Sequence, residues 1–292
     1  MESAERNAAA SIPLALLAAA GLGWAGSRNG VSVGGVPLFA LSIGLAFAMQ
    51  WIAFVPAFAF RTERFYDLVG SITYIVVAAF TVALAGRIDA RASLLLAMVC
   101  VWALRLGTFL FLRVLRSGRD ERFTEIKRSS LRFLSAWTLQ GLWVSFTLSA
   151  TLAAIAASKT GRLGATAWIG VGVWLAGFGI EAVADEQKRR FRADLAHRGD
   201  FIRTGLWAWS RHPNYFGEIV LWIGAAIVAA PVFAGWQWVT MLSPLFVIVL
   251  LTRVSGVPIL ERRADEKWGE QEEYERYKRR TSVLVLRPPR RG

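Results

Sequence analysis

The chain has 292 residues, of which 55% are apolar and 19% charged, and a formal net charge of +13. Soluble chains average about 45–50% apolar and about 25% charged, so this composition, with a mean hydropathy of +0.42, marks a membrane protein. One cysteine, Cys100, excludes an intramolecular disulfide, and two histidines, His197 and His212, are too few for a four-ligand zinc site.

A span needs about 20 apolar residues. Such stretches recur at 11–26, 31–60, 68–86, 92–115, 133–157, 163–184, 215–234 and 236–252. The fold expected is all-α, a polytopic transmembrane helical bundle of about eight spans, with seven as the alternative because the first is short and the second long enough to be broken. The N-terminus carries Glu2, Glu5 and Arg6 rather than a basic leader, so the first stretch reads as an anchor. With the N-terminus inside, 27 Lys and Arg fall in inner segments and five in outer loops. The positive-inside rule then places both termini in the cytosol. An odd span count would put one of the basic blocks outside.

No repeat is visible, and residues 1–292 read as one transmembrane domain. Three pieces face the cytosol in this scheme: the basic loop 116–132, the polar stretch 185–214 and the tail 253–292. Charges alternate at helical spacing in the tail run ERRADEKWGEQEEYERYKRRT, which suits a surface helix or simple adhesion to anionic headgroups. No basic helix interleaved with exposed aromatics stands apart from the spans, which excludes a soluble nucleic-acid binder.

Polar residues inside spans are costly, and they face a cavity or a partner. Arg105 and Gln50 lie mid-span, Glu218 lies in the seventh span, and Glu181 and Asp185 close the sixth. They either pair as bundle glue or wall a polar pocket. The stretch TGLWAWSRHPNYFGE, residues 204–218, carries Pro213. A proline breaks a helix interior yet costs nothing in a first turn, so the seventh span starts there. Its free N–H groups, flanked by Arg211 and His212, form an anion site. Asn214 offers donors and an acceptor to a carboxamide, and Tyr215 and Glu218 follow on the same face.

SRHPNYFGE, with GIEAVADEQKRRF upstream, WALRLG in the fourth span and the charged tail downstream, resembles the steroid 5-alpha-reductase-like integral membrane family over roughly residues 40–288. The related isoprenylcysteine and phospholipid methyltransferases carry a similar Arg-His-Pro-x-Tyr-x-Gly helix start. The reductase resemblance implies a seven- or eight-helix fold holding NADPH at the cytosolic face, with residues 185–292 as the cofactor-binding part, and hydride transfer to a carbon-carbon double bond of a steroid-like or isoprenoid lipid. It implies that Asn214 and Glu218 contact the nicotinamide end, that Asp185 lies beside the ribose or adenine, and that Arg262, Tyr274 and Tyr277 cover the diphosphate. Gln50 matches the first member of the family's substrate-binding Gln-Glu pair. Trp51 stands in place of the acid, a departure from 3-oxo-steroid chemistry.

Hydride transfer also requires a proton source. The candidates are Tyr66 and Asp67 at the start of the third span, which also suit helix-cap or interfacial roles, and Tyr215 on the other wall. Arg203 and Arg211 are expected to hold phosphates, with His212 beside them, while Gln50, Trp51 and Arg105 shape the substrate end. Phosphates call for forked arginines, whereas the sulfonium of S-adenosylmethionine calls for an aromatic or acidic cradle. The crowd of arginines leans toward NADPH. The alternatives are a methyltransferase using S-adenosylmethionine and a lipid-binding bundle that has lost its chemistry. No metal is expected, and the partners are a hydrophobic lipid substrate and membrane lipids.

Overall fold

The computed structural model describes residues 3–87, 89–117 and 123–289. Met1, Glu2, Arg119 and Arg122 of the basic loop, and Arg290 and Arg291 of the tail lie outside the described residues. Among the described residues eight helical segments are long and apolar enough to cross a membrane, and the chain is a multi-pass helical membrane protein. It divides into two compact units, residues 1–167 with 228–243, and residues 168–227 with 244–292.

The first unit holds α1 (Ser3–Gly26), α2 (Leu38–Ala59), α3 (Tyr66–Leu84), α4 (Ala90–Ser117) and α5 (Ser130–Ala156). The long second stretch of the sequence is split. Gly34 and Gly35, both at positive φ, turn a short hairpin, β1 (Ser32–Val33) against β2 (Val36–Pro37), and Pro37 then caps α2. The most enclosed helix is α5, which carries most of the unit's buried hydroxyls, among them Ser145, Thr147, Ser149 and Thr151. The serine hydroxyls bond carbonyls, which makes their burial tolerable: Ser145 donates to Gly141 at 2.7 Å and Ser149 to Thr240 at 2.9 Å.

Two sets of loops gather at opposite ends of this unit, as alternating spans require. At one end Val31 donates its N–H to Ala156, Arg87 clamps the carbonyls of Ala157 and Ser158, and buried Arg91 clamps those of Val228 and Arg162. Three of the five cations counted on the outer side, Arg87, Arg91 and Lys159, thus cap loop carbonyls. At the other end Arg61 donates to the carbonyls of Lys127 and Arg128, and the Lys127 ammonium meets buried Glu63 at 2.6 Å.

The second unit is built on α6 (Ala165–Ala193, from residue 168 onward) and α7 (Pro213–Ala229, to residue 227), with α8 (Leu242–Val249, from residue 244), α9 (Gly256–Trp268) and α10 (Glu272–Arg280). α6 and α7 touch backbone to backbone. A Cβ on Gly177 would lie 2.4 Å from Leu221 N, one on Gly217 2.5 Å from Glu181 N, and one on Gly224 2.5 Å from Trp174 N. Glycine at these three positions is what lets main chains pack without a side chain between them. The last apolar stretch does not run as one α-helix: a π-turn over Leu250–Val254 ends α8. The tail, expected as a surface helix, is two helices separated at Gly269.

Candidate functional site

The close approach of α6 and α7 carries the polar ends of both helices into one place. α6 continues three turns past Glu181 to Ala193, so Asp185 is a helical residue and not part of a loop. One turn beyond the Gly217 contact with Glu181, Asn214 Nδ2 donates to Asp185 Oδ1 at 3.2 Å. Asp185 is 6% exposed and Glu181 2%.

Pro213 opens α7 as its position predicts. The residues before it are tied down by the chain's last segment, which runs alongside them. Arg211 N–H donates to Ser282 O at 2.8 Å, Ser210 Oγ to Leu284 O at 2.7 Å, and Arg287 N–H to Trp209 O at 3.1 Å. From the other side α9 offers Glu261. One carboxylate oxygen meets Arg211 at 2.9 Å and the other meets His212 Nε2 at 2.8 Å. The Arg211 side chain is 11% exposed and that of His212 5%. Burial pushes the His212 imidazole below its ordinary value, a shift that Glu261 opposes and that Lys188 and Arg211 reinforce. At neutral pH His212 is therefore the neutral tautomer that donates from Nε2 to Glu261. Tyr215 stacks on its ring at 5.7 Å and is itself closely approached by Gly256 at the start of α9.

Three polar atoms at this entrance are buried without a hydrogen-bond partner within the chain: Arg211 Nε, a donor, and His212 Nδ1 and Asn214 Oδ1, both acceptors. A buried polar group left unmatched costs about 1–3 kcal/mol, and three within four residues is a concentration that a ligand of mixed donors and acceptors would relieve.

Several predicted site residues converge here: Asp185, Arg211, His212, Asn214, Tyr215 and Glu218 all lie on the α6 end or the α7 start. Arg203 extends to Glu273 on α10. Tyr274 and Tyr277 pack around Phe201 with centroids 5.1 and 5.5 Å away. The Tyr277 hydroxyl donates to Trp207 O at 2.7 Å, and burial raises both phenols, Tyr274 to about 12. These two rings pin the tail helix to the loop before α7. Arg262 points away, its side chain 72% exposed and 3.8 Å from Glu266. Glu261, next to it, is the residue at this entrance that sequence reasoning missed. The signal for it was only its place in the charged ERRADE run.

The remaining predicted residues belong to the first unit. Gln50 is fully buried and donates to Thr73 at 2.7 Å, and Trp51 donates to Thr138 at 3.1 Å. Tyr66 donates its hydroxyl to Ala136 O at 2.9 Å within an aromatic cluster with Phe123 and Trp137. Asp67 lies 3.6 Å from Arg113, and Arg105 lies over the Phe109 ring at 5.8 Å.

Among curated proteins, an uncharacterized protein of Schizosaccharomyces pombe (strain 972 / ATCC 24843), C594.04c, is 31% identical over 100 residues, which cover 28% of this chain and 29% of that protein. The chain thus spans well under a third of that relative's length. No solved structure matches the chain significantly. A family described as a protein of unknown function, DUF1295, matches residues 53–281, a range that takes in six of the eight spans and the α7-entrance side chains from Asp185 to Glu261. The chain belongs to the DUF1295 family.

Proposed function

We propose that this protein is a membrane-embedded, NADPH-dependent reductase of a carbon-carbon double bond in a steroid-like or isoprenoid lipid, acting at the entrance of α7 from the cytosolic side of a bacterial inner membrane. The family's relationship to steroid 5-alpha-reductase-like proteins supports the reading. The observation that carries it is the set of unmatched buried atoms on Arg211, His212 and Asn214. Their chemistry fits a dinucleotide: a guanidinium N–H for a phosphate oxygen, and an amide oxygen for a carboxamide N–H.

In this reading Arg211 and Arg203 hold phosphates, and Asn214, oriented by Asp185, holds the carboxamide together with Glu218. Glu261 keeps Arg211 extended and fixes the His212 tautomer, a positioning role. NADPH, when bound, supplies the hydride. Tyr215, held against His212, supplies the proton that completes the reduction. S-adenosylmethionine fits less well. A sulfonium calls for an aromatic or acidic cradle, and the Glu261 carboxylate at this entrance is already shared between Arg211 and His212.

Purified full-length protein should quench and blue-shift NADPH fluorescence on binding. Asn214→Ala or Arg211→Ala should weaken that binding about tenfold or more, equivalent to about 1.4 kcal/mol per decade. Absence of NADPH binding alongside saturable S-adenosylmethionine binding would make the protein a methyltransferase. Binding of neither would leave a lipid-binding bundle.

A further inference from the structure

A cleft of about 540 Å³ opens sideways between α1 and α2 of the first unit. Its walls are cut back to small residues, Ala19, Ala20 and Gly23 on α1 and Ala40 and Gly44 on α2, and Phe47 and Trp51 close its deep end. It is truly open at the centre, because a Cβ added at Gly44 would meet nothing within 4 Å. The cleft follows α1 from Leu16 to the helix end at Gly26, about 15 Å at 1.5 Å per residue, and Ser27 and Arg28 line it just beyond. That length is close to the depth of one leaflet, half of the roughly 30 Å hydrocarbon core.

The mouth of the cleft is polar. The Arg28 guanidinium sits 4.6 Å over the Trp24 ring, and no carboxylate pairs with it among the described residues. Next to it, Ser27 Oγ is buried without a hydrogen-bond partner, and Ser27 and Arg28 both line the cleft. Trp24 meets Trp236 edge-on at 5.3 Å, and both rings are about half exposed. Paired exposed tryptophans at a helix end mark headgroup level. A cation and an unmatched hydroxyl therefore stand at the depth of lipid phosphates, above a slot as deep as one acyl chain.

We propose that this cleft is a binding site for one anionic glycerophospholipid of the leaflet on the side of the 32–37 hairpin, with its phosphate on Arg28 and Ser27 and one acyl chain between α1 and α2. Charge complementarity at the mouth decides for an anionic headgroup. The apolar walls and lateral opening decide for a bilayer lipid over a soluble anion. This site is separate from the chemistry proposed for α7 and stands or falls without it.

The test is native mass spectrometry of the full-length protein in detergent, titrated with palmitoyl-oleoyl phosphatidylglycerol or its phosphatidylcholine counterpart. One phosphatidylglycerol adduct should saturate first, preferred about tenfold over phosphatidylcholine, and Arg28→Gln should remove the preference. Gly44→Leu should abolish the adduct while leaving the melting temperature unchanged, since the added side chain enters open space. Equal binding of the two lipids, or a first adduct that survives Gly44→Leu, overturns the proposal. So does a protein dimer that Gly44→Leu dissociates, because a second copy would then be the occupant.

Discussion

Replacing Gly217 by alanine adds one methyl group where the second unit has no room for it. The new Cβ would lie 2.5 Å from Glu181 N and 2.6 Å from Gly177 O. Both are main-chain atoms inside a helix, so no side chain can swing aside, and α6 and α7 must separate by roughly an ångström to restore contact near 3.5 Å. Overpacking of this kind costs about 1–3 kcal/mol. The same displacement would stretch the Asn214–Asp185 bond from 3.2 Å beyond hydrogen-bonding range. Thermal unfolding in detergent should show a midpoint several degrees below that of the parent, and NADPH binding should weaken in step. Gly179→Ala is the control: a Cβ there meets nothing within 4 Å, and alanine in a helix gains about 0.5–1 kcal/mol over glycine. If the two variants unfold alike, α6 and α7 are not held by backbone contact and the account of how Asp185 reaches Asn214 is wrong.

Three further outcomes are expected. Glu261→Ala removes the shared partner of Arg211 and His212 and should cost about 2–3 kcal/mol, whereas Glu261→Gln should recover part of it by still accepting a bond; chemical denaturation distinguishes the two. Because the folded His212 pKa lies below its ordinary value near 6.5, the unfolded chain binds more protons in that window. Stability contributed by the neutral imidazole is therefore complete above about 6.5 and is lost as pH falls toward the folded value; melting temperatures across pH 5 to 8 should show that slope, and His212→Gln should flatten it. Arg262→Ala, at an exposed side chain, should change stability by no more than about 0.5 kcal/mol and NADPH affinity far less than Arg211→Ala does; equal losses would reverse the assignment of phosphate contacts.

Much of the site was readable because it is local. RHPN places an arginine, a histidine, a proline and an amide at a helix start, and that geometry follows from the proline's missing N–H regardless of the rest of the chain. Glu261 was not readable, since nothing in ERRADE distinguishes the acid that turns inward from the arginine beside it that turns out. One position along α9 is a rotation of about 100°, and only packing against α7 sets which of the two faces His212. The same limit applies to Tyr274 and Tyr277, whose burial around Phe201 depends on a tail that crosses back over the loop before α7.

Span number, apolar character and the alternation of loops were determined by the sequence alone, because backbone groups in hydrocarbon must bond within their own helix and that requirement is met by length and hydropathy. The breaks at Gly34 and Gly35 and at the π-turn after Val249 were not. Nor was the pairing of Asn214 with Asp185, 29 residues apart, which exists because Gly177, Gly217 and Gly224 remove the side chains that would hold two helices apart. Glycine spacing is visible in a sequence; which backbone it admits is decided only when a second helix is packed against it.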